Sequence, residues 1–306
     1  MSEIKKPRYT RDRAVGLICR CYNHYGAFVE EDFLKKSILE EKLPEIPNVW
    51  NSGLFRFLDE MIYLSKIISY ILFIKNIKDK KDTPKVIAWH QIEKNLLAIR
   101  VLCHAGLDGS ARQNLRALYE MCHACCRCLV DQEFHDAFGE QKSPEDSNNF
   151  WHKFMARQKT EKFLQRYNKD AVEPCFLVVG DHFADMYKIM GVGAHPNFLG
   201  WSFDWRDDWS NPEGMHDMFH LSPRMASELV LVHSNQLAMA TIAFVSQWLY
   251  RNAPSTTIFK DNPLFKHCSD DKEVSKFIGN SSLLMFMMLA KLINRNKPGF
   301  DPEEHF

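Results

Sequence analysis

An all-α fold, a single multi-helix bundle with an irregular tryptophan-rich insertion at about 197–222, is what this sequence predicts. Three observations carry the prediction. Apolar residues recur at three- and four-residue spacing over long stretches, which lines them up on one face of a helix with 3.6 residues per turn. Proline and glycine fall at the ends of those stretches, where they start or stop helices. No strand-rich region, internal repeat, heptad array or low-complexity run breaks the pattern. With 306 residues, 45% apolar and 12% aromatic, the chain can bury a sizeable core.

Taken in order, Arg11 to about Leu43 reads as one or two helices behind Thr10, closed by Pro44 and Pro47. Leu54 to Ile77 is amphipathic, with Phe55, Leu58, Ile62, Ile68, Leu72 and Phe73 apolar, and the Lys/Asp-rich run 78–83 ends it. Pro84 stands where a helix can begin, and Val86 to His104 continues it. Asp108 to Asp131 follows, with Gly106 placed to end the preceding helix and Asp108 or Ser110 to cap the new one. A polar connection, Gly139 to Asn149, leads to a helix through Phe150, Phe154, Phe163 and Leu164. Ala171 to Met190 is the fifth long helix, stopped by Gly191, Gly193 and Pro196. Trp201, Phe203 and Trp205 alternate within 197–222, which suits a short hairpin or ordered loop. Pro223 to Arg251 returns to helix, and a proline-containing turn, Ala253 to Asp270, precedes a helix pair ending near Asn294. The expected organisation is a core bundle at 50–252, an N-terminal helical appendage at 1–45 and a C-terminal one at 253–306.

Composition narrows the function. Lys plus Arg equals Asp plus Glu at 39 each, so no global charge draws the chain to nucleic acid or membrane. The first ten residues are charged, and the strongest apolar runs, Ile67 to Ile74 and Leu283 to Ile293, are short for a bilayer crossing; a cytoplasmic protein without membrane contact is expected. The nine cysteines are irregularly spaced, four of them at 122, 125, 126 and 128, and read as reduced core residues, with a metal-thiolate site as the alternative. No phosphate loop, dinucleotide fingerprint, nucleophile elbow or kinase signature is present, and no cofactor or metal is expected.

Chemistry concentrates on Asp108 to Asp131. At about 100° per residue, Arg112, Arg116, Glu120, His123 and Arg127 fall within about 80° of one another, while most other positions are apolar. Such a stripe on a central helix meets either a strip of solvent or an internal cleft where each charge finds a partner. His123 can serve as acid or base near neutral pH, Arg112 and Arg116 can hold a phosphate in a bidentate grip, and Glu120 can orient either. A second polar cluster, Asp181, His182, Asp185, Tyr187 and Lys188 with His195 beyond the glycine turn, meets this stripe across the bundle or faces solvent. Glu120 and His123 also form an E-x-x-H pair, as in carboxylate-bridged di-metal bundles, with Glu60 or Glu93 to complete it; Glu213 with His216, and His216 with His220, are further metal candidates. Trp201, Trp205 and Trp209 form a lid, a stacking platform or a plug of satellite core.

Arg116, six residues, then His123 resembles the R-x4-6-H motif of HEPN-type helical ribonucleases. The stretch from Leu97 to Gly200, through Ala111 to Glu120 with Tyr119 and on to Tyr187 and His195, resembles an uncharacterised bacterial all-helical family, which implies no established activity. The ribonuclease resemblance implies a metal-independent endoribonuclease of defence or toxin type acting on RNA. Arg116 and His123 would be catalytic, Arg112, Glu120 and His195 supporting, and two protomers would bring their Arg/His pairs together in a homodimer. The alternative is a non-catalytic helical binding module with a structural Arg/Glu network and a tryptophan segment that meets a protein or small ligand.

Overall fold

Periodic apolar faces become long helices in the computed structural model, which describes residues 10–35, 52–78, 82–170, 227–253 and 255–294. In chain order these are α1 (Arg11–His24), α2 (Glu31–Lys35), α3 (Ser52–Lys78), α4 (Thr83–His104), α5 (Asp108–Val130), α6 (Gln132–Gly139), α7 (Pro144–Phe150), α8 (Lys159–Asp170), α9 (Ser227–Asn252) and α10 (Asp271–Asn294). A π-helical turn, Trp151–Met155, and two short 3-10 turns, Ala156–Gln158 and Pro263–Phe265, complete the set, and no strand occurs among the described residues. The all-α class is therefore observed.

The bundle is arranged around α9, which packs on α3, α4, α5 and α10 and is buried along almost its whole length. Small and medium apolar residues on every side of α9, from Val230 to Leu249, allow this. By length and composition α9 and α10 are apolar enough to cross a membrane; in the bundle 89% of the most apolar window of α9 is buried, against 50% for α10. One continuous core takes Ile18 and Tyr22 from α1, Phe55 and Met61 from α3, Trp89 and Ile99 from α4, Leu118 and Cys125 from α5, and Ile278 and Met285 from α10. The segments expected as appendages thus contribute α1 and α10 to the shared core. A second, smaller cluster joins Ala124 and Cys128 of α5 to Phe134 and Phe154.

Close approach of α9 and α10 depends on Gly279. A β-carbon there would lie 3.0 Å from the Ser246 β-carbon and 3.5 Å from the Ala243 carbonyl oxygen. Gly279→Val should therefore cost about 1–3 kcal/mol through overpacking, offset only slightly by better helix propensity. Chemical denaturation of the two proteins measures this, and equal midpoints would show that the contact relaxes freely.

The ends of the helices follow their local chemistry. Gly106, at φ 69°, closes α4: its amide donates to Cys103 O at 3.2 Å and the Leu107 amide to Leu102 O at 2.8 Å, the paired bonds of a left-handed C-terminal cap. Only glycine adopts that φ without strain. Neither Asp108 nor Ser110 caps α5, whose N-cap position is Leu107; Asp108 instead turns inward and accepts from the Ser227 hydroxyl, tying α5 to α9. At the start of α4, Asp82 pairs with Lys75 and Lys85, whose ammonium groups lie 4.8 and 5.0 Å from the Trp248 ring centre.

Two stretches differ from the sequence expectation. The polar connection at 139–149 contains α7, begun by a capping box between Ser143 and Asp146 with Pro144 in the first turn. Its residues are polar on all sides, so periodicity does not mark it. Beyond it, the helix expected through Phe150 and Leu164 is broken at Arg157 and Gln158, both at φ 57°. At the C-terminus a single helix, α10, stands where a pair was expected.

Candidate functional site

Although Arg112, Arg116, Glu120, His123 and Arg127 share one edge of α5, the neighbouring helices divide that edge into separate environments. Arg112 is buried near the start of the helix. Arg116 and Glu120 pair across one turn, Nε to Oε1 at 3.2 Å, with both side chains partly in solvent. One turn on, His123 is enclosed, with 1% of its surface accessible. Its Nδ1 lies 2.8 Å from Tyr119 O. A carbonyl only accepts, so Nδ1 carries the proton and Nε2 the lone pair. Nε2 is buried and has no hydrogen-bond partner among the described residues. Burial pushes the His123 pKa down to about 4, against the weaker upward pull of its bond to Tyr119 O, so at neutral pH the ring is uncharged.

Glu161, on α8, comes up beside this stripe. Burial raises its pKa, and the nearby charge of Glu120 pushes in the same direction. Arg116 itself is paired with Glu120, so a phosphate approaching that arginine would have to displace a carboxylate.

Arg127 is engaged on several sides. Its Nε donates to Asp131 Oδ2 at 2.8 Å, and Nη1 donates to Phe154 O and Thr160 Oγ1, each at 3.2 Å. The guanidinium plane also lies 4.9, 5.1 and 4.4 Å from the ring centres of Phe134, Phe154 and Phe163. Fork geometry and aromatic stacking together make Arg127 the pin that fastens α5 to the broken stretch before α8.

Another charged network, on α3, is the one that sequence reasoning missed. Arg100 Nε donates to Asp59 Oδ1 at 2.8 Å with both side chains sealed from solvent, and the Arg100 guanidinium stacks 4.9 Å from the Phe55 ring. Three residues earlier, Arg56 bonds Leu34 O through Nε and Nη2 and pairs with Glu60 at 2.7 Å, while Glu60 accepts from the Tyr22 hydroxyl. These contacts tie α1, α2, α3 and α4 together. Arg56, Asp59 and Glu60 fall on one polar stripe of the amphipathic α3, which from sequence reads as a solvent face; the burial of that stripe under α1, α2 and α4 was not marked by it.

Cys122, Cys125 and Cys126 are buried in the main core and Cys128 in the smaller one, with the Cys122 and Cys128 thiols pushed up to about 12 by burial. Among the described residues no three His, Cys, Asp or Glu side chains gather as metal ligands. Glu120 faces outward while His123 faces inward, so their E-x-x-H spacing does not converge; Glu60 is taken by Arg56 and Tyr22, and Glu93 lies in a groove between α3 and α4 with one oxygen on His90. His195, the cluster Asp181 to Lys188, Glu213, His216, His220 and the three tryptophans of 197–222 lie outside the described residues. Comparisons of the chain with protein families, with curated proteins and with solved structures found no match. The site is therefore read from its own geometry.

Proposed function

We infer that this chain is a non-catalytic helical binding module whose buried Arg/Glu and Arg/Asp pairs fix the bundle. The observation that carries this reading is the enclosure of His123: a 1% exposed imidazole, hydrogen-bonded to its own helix and depressed to about 4, has neither the access nor the proton that RNA cleavage asks of a general acid. The pairing of Arg116 with Glu120 and the engagement of Arg127 point the same way.

One observation favours the endoribonuclease alternative: Arg116 keeps part of its guanidinium in solvent, on the same edge as His123. In that reading two copies pair their Arg116 and His123 in a homodimer, with Arg112, Glu120 and His195 supporting. A single experiment separates the two. Purified protein is incubated with single- and double-stranded RNA in the presence of a chelator, alongside His123→Ala. The binding-module reading expects no cleavage above background from either protein. Cleavage by the wild type that disappears in a folded His123→Ala variant would replace it with the ribonuclease.

A further inference from the structure

On the outer face of α3 and α4 lies an open groove of about 310 Å³, away from the α5 stripe, lined by Lys66, Ser69, Tyr70, Phe73, Val86, His90 and Glu93. Two aromatic rings from successive turns of α3 form its wall: Tyr70, 51% exposed, with its ring edge-on to Phe259 at 5.8 Å between centroids, and Phe73, 52% exposed. Exposed aromatic rings beside a recess are a common mark of a binding surface.

A carboxylate forms the recessed end. The Glu93 side chain is only 12% exposed, and Oε2 lies 3.2 Å from Nδ1 of His90, which is itself largely in solvent. The other oxygen, Oε1, is buried and accepts no hydrogen bond among the described residues. Burial raises the pKa of Glu93 and outweighs the opposing pull of His90, Ser69 and Lys66. Lys66 stays exposed on the rim and forms no ion pair with it. A recessed carboxylate with one oxygen unbonded, in a groove also lined by two aromatic rings, is complementary to an ammonium group: the charge meets the carboxylate and the rings offer apolar and cation–π contact.

We propose that this groove binds small organic ammonium compounds with an apolar body, the ammonium facing Glu93 and His90 and the body lying on Tyr70, Phe73 and Val86. The proposal deepens the binding-module reading and rests on it. It assigns His90 as the residue that orients the Glu93 carboxylate, and Lys66 as the rim cation that limits affinity.

The test uses three probes of one shape and different charge: 2-phenylethylamine, 2-phenylethanol and 3-phenylpropionate. Titrations of the full chain are followed by calorimetry and by NMR signals of His90 and Tyr70. The amine should bind at least about tenfold more tightly than the other two and shift both signals. Glu93→Gln should weaken the amine about tenfold or more, whereas Lys66→Ala should tighten it, a gain that damage to the fold would not give. Equal binding of the anion, unchanged affinity in Glu93→Gln, or no shift at His90 and Tyr70 overturns the proposal. Failure here with RNA left uncut removes the groove ligand alone, while RNA cleavage removes the binding-module reading by a separate readout.

Discussion

Replacing Asp59 with alanine is expected to destabilise the protein by about 3–5 kcal/mol, the cost of leaving a fully buried guanidinium without its carboxylate. Arg100 has no exposed surface, and its Nε bond to Asp59 Oδ1 at 2.8 Å joins α4 to α3. Stacking on Phe55 holds the guanidinium but supplies only a fraction of the lost electrostatic energy. Domains are commonly stable by about 5–15 kcal/mol, so a change of this size removes a large part of the total. The urea midpoint measures it directly. Leucine at 59 with methionine at 100 removes both charges and keeps apolar volume, and should recover most of the loss, because a buried ion pair adds little over well-packed apolar residues. A single Asp59→Ala change costing under about 1 kcal/mol would show that water or another group reaches Arg100.

The limits of α3, α4 and α5 were legible to within two or three residues, because long apolar periods, Pro84 and Gly106 mark them. The break at Arg157 and Gln158 was not, since neither residue type favours positive φ, and the contacts of Phe154 and Thr160 with Arg127 on either side of it are tertiary. The α5 stripe was legible as a geometric alignment, but a helical wheel reports angle alone. It does not say which neighbour covers each turn, and it was such neighbours that enclosed His123 while leaving Arg116 and Glu120 partly open. The ion pair between Asp59 and Arg100 joins positions 41 residues apart in sequence, beyond the reach of any local pattern. The groove at Glu93 likewise needs two helices side by side.

Acid is expected to destabilise the protein through His123, by about 3 kcal/mol between pH 6.5 and 4. The folded imidazole takes a proton only near pH 4, while in the unfolded chain it does so near 6.5. Between those values the unfolded state binds the extra proton, so stability falls as pH falls, with a slope approaching about 1.4 kcal/mol per pH unit. Glu93 and Glu161 act in the opposite sense, because their raised folded values favour the folded state as their carboxyls protonate. The quantity to measure is therefore the difference between the wild type and His123→Phe, which keeps a planar ring beside Tyr119 and removes the titration. The stability of the wild type minus that of the variant, from urea unfolding across pH 4–7.5, should be constant above pH 6.5 and fall by the stated amount toward pH 4. Direct NMR titration of the His123 ring tests the same point independently. A midpoint near the ordinary histidine value would mean that water and protons reach Nε2, and the imidazole would then be available for chemistry; a midpoint near 4 leaves it a neutral, enclosed member of the α5 core face, with recognition left to the surfaces around it.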